Sequence, residues 1–227
     1  MDALLRRRAM MAAGGGEPPT PVIEPVFYDR LVFDGTAYID TDIVPPSGAS
    51  FKVTLGRETV KATQRMFSCQ CANGTTISFV LNSGTTTTNR CFSAYYADSS
   101  AKSSNRTMAF STQAYSAYVT PKGWGYGNQG SYWSYTGGAN APTGGLVLGN
   151  NASHSAGQPY TGSMSIFRIY GSDAQNVNSY NGFDSYTPVY TLKPCTYNGE
   201  AGMWCVETST FYGNTAGAGT LSVANNS

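Results

Sequence analysis

Apolar and polar residues alternate in short runs along most of this chain, with the two-residue period of strands that have one buried face. Tyr38, Asp40 and Asp42 alternate with Ile39, Thr41 and Ile43, and Pro45-Pro46 ends the run. Ser50 to Gly56 places Phe51, Val53 and Leu55 on one face. Arg65–Cys71 and Thr75–Leu81 flank the turn signal Asn73-Gly74. Arg90–Ala97, Arg106–Phe110 and Ala114–Thr120 read as further strands, Gly145–Gly149 as a short buried one, and Ser163–Tyr170 as a central one. Asp173–Ser185 reads as a polar connection. The chain closes on Leu192–Asn214, where Tyr197-Asn198-Gly199-Glu200 is a hairpin turn. Roughly eleven to thirteen strands at this spacing predict a two-sheet antiparallel sandwich.

Only the first residues depart from this pattern. In residues 1–13, Leu4, Leu5 and Met11 share a helical face opposite Arg6, Arg7 and Arg8. A helix this short orders only against a partner. Residues 14–25, GGGEPPTPVIEP, form a linker that is slack and then stiff. The expected organisation is a docking peptide (1–13), a linker (14–25) and one sandwich domain (26–227). The arm residues Leu4, Leu5, Arg6, Arg7, Arg8, Met10 and Met11 are expected to be its anchor.

Composition agrees with an all-β domain. The 227 residues include 26 Gly and 16 Tyr, and charged residues are 12%. The net charge of +1 leaves no footprint for nucleic acid. No apolar run is long enough for a membrane helix. Ala9–Ala13 is too short for the apolar core of a secretion signal. Five cysteines, an odd number, argue for free thiols over a disulfide framework. Cys69 and Cys71 are expected to point to opposite faces of their strand, and Cys195 and Cys205 could bridge across the closing hairpin. With one histidine, His154, no metal site is readable.

Three segments resemble one family when taken together. They are Phe33-Asp34-Gly35-Thr36-Ala37-Tyr38-Ile39-Asp40-Thr41, Gly162–Tyr170, and the closing run from Pro194-Cys195 through Gly202-Met203-Trp204 to Phe211-Tyr212-Gly213-Asn214. Their order and spacing resemble the laminin-G-like (concanavalin A-like) jelly-roll domains found in virion proteins of gut bacteriophages and prophages. The chain departs from that pattern at Asp42, where Gly is commoner, and at Cys205, where Asp is. The resemblance implies a jelly-roll sandwich in a virion structural protein: a head fibre, capsid decoration or tail-fibre component. Such a protein would be assembled in the host cytoplasm and displayed on the virion surface. It would join other virion proteins through residues 1–25, form a homo-oligomer, and adhere to host or mucosal glycans. The alternative is a free carbohydrate-binding module.

One segment stands out as candidate chemistry. Gly123–Tyr135 carries Trp124, Tyr126, Tyr132, Trp133 and Tyr135 among four glycines. Gly and Asn cannot build a core, so several of these rings are expected to be exposed or only half covered, where sugars can stack on aromatic faces. Ordinary packing at one end of the sandwich and a subunit contact are the competing readings. Asp40 and Asp42 lie two apart on one strand, a spacing that could serve a glycosidase pair or help hold calcium, but no third acid accompanies them, and Ser153-His154 lacks the strand-elbow of a nucleophile. No enzyme activity and no cofactor are expected.

Overall fold

A computed structural model describes residues 23–57, 63–86, 89–97, 102–103, 114–126, 132–134, 141–154 and 159–225. The arm residues Leu4 to Met11, most of the linker, the expected strand at 106–110 and Tyr135 lie outside these residues. In the first half the strands are β1 (Val26–Phe27), β2 (Arg30–Asp34), β3 (Ile39–Asp40), β4 (Ser50–Arg57), β5 (Gln64–Cys71), β6 (Thr76–Thr86), β7 (Asn89–Tyr95) and β8 (Lys102–Ser103). Then come β9 (Tyr115–Thr120), β10 (Gly123–Tyr126), β11 (Tyr132–Ser134), β12 (Pro142–Leu148) and β13 (Thr161–Tyr170). The last four are β14 (Tyr190–Tyr197), β15 (Glu200–Cys205), β16 (Thr210–Tyr212) and β17 (Leu221–Ala224).

These strands form an antiparallel jelly-roll sandwich of an 11-stranded and a 6-stranded sheet. The large sheet runs β11-β10-β9-β4-β13-β14-β15-β16, with β2 also on β13, β17 on β2 and β1 on β14. The small sheet runs β3-β12-β5-β6-β7-β8. The expected run 38–43 keeps its alternation: Ile39, Thr41 and Ile43 are buried while Asp40 and Asp42 point outward. The closing hairpin has the predicted turn, with Tyr197 opposite Glu200 and both Asn198 (φ 52) and Gly199 (φ 82) in the left-handed region.

Phenylalanines tie the two sheets together. Phe51 and Phe167 from the large sheet meet Phe67 from the small one at ring separations of 5.3 and 5.0 Å. Phe79 and Phe92 extend this column along the small sheet. The polar connection after β13 is more than a loop. Residues 171–189 fold over the outer face of the large sheet and close a second, smaller core of Tyr118, Tyr170, Ala174, Val177 and Phe183.

Two cysteine expectations are corrected. Cys69 and Cys71 are both buried against the main core. Residues two apart on a strand share a face, so the expectation of opposite faces misapplied the period. Cys195 lies opposite Gly202 and Cys205 opposite Leu192. That three-residue offset, about 10 Å along the strand, is beyond the reach of a disulfide. Cys69, Cys71, Cys195 and Cys205 are free, as expected for small buried apolar side chains.

Candidate functional site

The aromatic segment does not form one exposed platform. Trp124 and Tyr126 are two apart on β10 and face inward; Trp124 is 0% and Tyr126 8% exposed. Trp124 meets Phe79 edge-on at 5.6 Å, and Tyr126 lies 4.7 Å from Phe92. Trp133, opposite Trp124 on β11, covers both rings, stacking at 4.6 Å on Trp124 and 5.2 Å on Tyr126. Tyr132 is one residue earlier and turns to the other face, where it packs against the second core and donates to the Lys122 carbonyl at 2.8 Å. The surface expectation is therefore corrected for Trp124 and Tyr126. Glycine and asparagine build no core by themselves, but here the partner rings come from the opposite sheet. The glycines instead make room: a Cβ on Gly123 would come within 2.5 Å of the Trp133 carbonyl and the Tyr132 ring. Of the five rings, Trp133 and Tyr132 are half-buried, and they face opposite sides.

A better-formed recess lies where the edges of the two sheets meet. On the small-sheet side, Thr41 is anchored inward; its backbone N–H and its hydroxyl both donate to the Leu146 carbonyl, at 3.0 and 2.8 Å. The Leu146 N–H donates in turn to the Ile43 carbonyl at 2.9 Å. Gly145 permits this approach, since a Cβ there would lie 1.9 Å from the Thr41 carbonyl. With Thr41 and Ile43 fixed inward, Asp42 and Val44 must face out. On the large-sheet side, β16 is the edge strand, and the Tyr212 hydroxyl donates to Asp42 Oδ1 across the gap. Burial, then the Asp42 carboxylate, pushes the Tyr212 hydroxyl well above the usual phenol range, so it stays a donor.

The cleft between these edges has a volume of about 410 Å³. Asp42, Tyr190, Thr208, Thr210 and Tyr212 give it polar groups and ring faces, and Ile43 and Val44 give it an apolar side. The turn that carries Thr208 is held by Glu207, whose carboxylate accepts from the Thr191 N–H at 2.6 Å. One carboxylate, two threonine hydroxyls and two tyrosines around a small open cleft can bind a polyhydroxylated ring by hydrogen bonds and face contact.

Asp40 and Asp42 do not act as a pair. Asp40 Oδ2 lies 3.1 Å from His154 Nε2, and the His154 ring stacks on Tyr38 at 4.9 Å. Asp42 is held by Tyr212. Ser153 donates to Asn151 at 3.1 Å, so the Ser153-His154 step forms no nucleophile–base contact.

Below the cleft, the opening and closing segments are tied to each other. Asp34 Oδ1 accepts from Thr36 N–H (2.8 Å), the Thr36 hydroxyl (2.8 Å) and Ala37 N–H (2.9 Å), while Oδ2 accepts from Thr220 N–H (2.6 Å). Burial raises the pKa of this carboxyl, but the bonds from Ala37, Thr36 and Thr220 outweigh it and bring it from 3.8 down to about 2. Thr215 donates its N–H to the Tyr38 carbonyl at 2.9 Å and accepts from Asp40 N–H at 2.7 Å. A Cβ on Gly219 (φ +76) would lie 2.1 Å from the Thr36 hydroxyl oxygen.

Sequence reasoning missed Tyr190, Thr208, Thr210 and Tyr212 as site residues. Their partner Asp42 lies 170 residues away from Tyr212. The one available signal was that Asp42 departs from the resembled motif.

Similar architectures occur among solved structures. The native heptameric SAP-like pentraxin from Limulus polyphemus matches with a TM-score of 0.50 and 12% identity, over 80% of this chain and 96% of that one. A candidate carbohydrate-binding protein from Bacteroides ovatus ATCC 8483 matches with a TM-score of 0.59 and 10% identity, over 89% of this chain. The match spans 62% of the Bacteroides protein's own length. Domains LG4-5 of the mouse laminin α1 chain are similar at a TM-score of 0.43 and 8% identity, over 82% of this chain and 50% of that one. No family model matches the sequence, and no protein of curated function does. At these identities the likeness to the pentraxin and the Bacteroides protein concerns the fold alone, a jelly-roll sandwich.

Proposed function

We propose that this chain is a non-catalytic, glycan-binding jelly-roll domain whose ligand sits in the cleft between β3 and β16. The observation that carries this reading is the lining of that cleft. A fixed carboxylate–tyrosine pair, two threonine hydroxyls and the Tyr190 ring surround a space suited to one or two sugar rings. The Bacteroides ovatus neighbour, a candidate carbohydrate-binding protein, supports the same reading by analogy of fold. A single shallow site of this kind binds weakly, so useful adhesion requires many copies on one body.

The finer reading is that the body is a bacteriophage virion. It rests on the resemblance of the three segments and on the arm-and-linker layout of residues 1–25. In that setting the arm docks into a capsid or tail protein and the sandwich is displayed outward.

The glycan reading is tested with the purified full chain on a glycan array, beside Asp42→Asn and Tyr190→Ala. Binding that both substitutions abolish supports the cleft; binding that survives both places the ligand elsewhere. The virion reading is tested by cryo-electron microscopy of intact particles, and a chain missing from the particles ends it.

A further inference from the structure

A second recess lies on the outer face of the large sheet, where the central strand is interrupted. β13 pairs with β2 over Thr161–Met164 and with β14 over Phe167–Ile169. On its other side, Met164 lies opposite Leu55 and Phe167 opposite Val53. Ser165 and Ile166 therefore have no ladder partner on either side, and the two of them oppose Thr54 alone. This is a β-bulge, a device that re-aims side chains and recurs beside binding sites. The N-terminal strand breaks at the same level. β1 runs along β14, β2 runs along β13, and Tyr28-Asp29 is the step between them.

A cavity of about 240 Å³ opens at this point, lined by Tyr28, Asp29, Thr54, Ser165, Arg168 and Tyr180, with Ile166 at its apolar side. The two cations of this face differ in their engagement. Lys52 is held by Asp184 at 2.8 Å and lies over the Tyr180 ring at 4.1 Å. The Arg168 guanidinium makes no side-chain hydrogen bond or close ion pair with a described residue, and its charge is felt only at longer range by Tyr170 and Asp184. Thr54 and Tyr180 present hydroxyls already 3.1 Å apart, and Ser165 adds a third.

We infer that this bulge pocket is a second ligand site and that it takes one carboxylate-bearing sugar, such as a uronic acid. The guanidinium fork of Arg168 matches a carboxylate in two parallel hydrogen bonds. The hydroxyls of Ser165, Thr54 and Tyr180, with the rim carboxylate of Asp29, serve the sugar hydroxyls. Ile166 and the tyrosine rings take the apolar face of the sugar. The volume suits one sugar ring and not a chain of them. The site requires none of the cleft residues between β3 and β16.

The experiment is titration calorimetry of the full chain at low salt with methyl β-D-glucuronide and methyl β-D-glucoside. The glucuronide is expected to bind about tenfold more tightly, the worth of one charged bidentate contact. Arg168→Gln is expected to remove that preference, and Tyr212→Phe to leave it intact. Ser165→Asp, which sets a second carboxylate in the pocket to compete with the ligand for Arg168, is expected to remove it too and serves should Arg168→Gln fail to fold. Absence of glucuronide binding, equal affinity for the two sugars, or a preference that survives Ser165→Asp overturns the proposal. A preference lost in Tyr212→Phe but kept in Ser165→Asp also overturns it, because the sugar acid then sits in the edge cleft.

Discussion

Two regions of this sandwich are rich in aromatic rings and put them to opposite uses. In the β10–β11 hairpin, Trp124, Tyr126 and Trp133 stack on one another, and Trp124 and Tyr126 pack edge-on and tilted against Phe79 and Phe92 of the facing sheet, so the rings are consumed by other rings. Near the β3 and β16 edges, Tyr190 and Tyr212 are only partly buried and pack against the margin of the core. They line an open cleft beside threonine hydroxyls and Asp42. The difference follows from position in the sheets. β10 has small-sheet strands facing its inner side, whereas β3 and β16 are edges where the layers end. An aromatic-rich segment is therefore no sign of a binding surface until its place in the layers is known.

The comparison can be broken most forcefully at Trp124. Trp124→Ala empties a fully buried site and is expected to cost about 3–5 kcal/mol. In a domain of this size that lowers Tm by about 6–20 °C. Calorimetric melting checks it; an unchanged Tm together with lost glycan binding would make the hairpin a ligand platform after all. Next in size is the tie beneath the cleft. Asp34→Asn keeps one acceptor but sets an amide donor against a backbone N–H, at either Ala37 or Thr220. The expected loss is about 1–3 kcal/mol at neutral pH.

That contribution depends on pH in a definite sense. The folded carboxyl titrates at about 2 against its ordinary 3.8, so the stabilisation is fully present above the ordinary value and is lost as pH falls from there through about 2. Melting curves from pH 5 down to 2, as ranges about those values, should therefore converge for the parent chain and Asp34→Asn. Curves that stay parallel would show that the carboxylate contributes nothing through its charge.

Smaller effects sharpen the contrast. Trp133 is half-buried, so Trp133→Ala is expected to cost about 1–3 kcal/mol while leaving glycan affinity unchanged. A fall in affinity without a fall in Tm would move the ligand to the β11 edge. Tyr212→Phe keeps the ring and removes only the bond to Asp42. It is expected to change stability by about 1 kcal/mol or less and to weaken glycan binding by about two- to tenfold. Array or calorimetric binding unaffected by this change would count against the edge cleft.

The fold was largely legible in the sequence, because its local signals agree with the global architecture. The alternation of residues 38–43, the Asn198-Gly199 turn and the apolar run ending at Tyr170 each read correctly from neighbours a few positions apart. The cleft was not legible for the opposite reason. It depends on Tyr212 reaching Asp42 across two edges, a contact that no local period announces. The bulge at Ser165-Ile166 was overlooked as well: its sign is a change of parity in the core-facing residues, from Met164 to Phe167 and Ile169, inside a run that reads as one continuous apolar strand. The errors at Trp124 and Tyr126 came from judging a strand by its own neighbours when its packing partners lie in the other sheet.

The tie between Asp34 and Thr220 joins residues 186 positions apart, and β2 receives β17 as its outer neighbour along the same line. This has a consequence for synthesis on the ribosome. While the first two hundred residues emerge, β2 presents a bare strand edge that only the last strand of the domain will cover. Closing so long a loop is slow, because its entropy must be overcome before any contact at the far end compensates for it. The domain therefore completes its fold only after Ala224 has left the exit tunnel, and nascent chains crowded on one message are most exposed to mispairing during that interval.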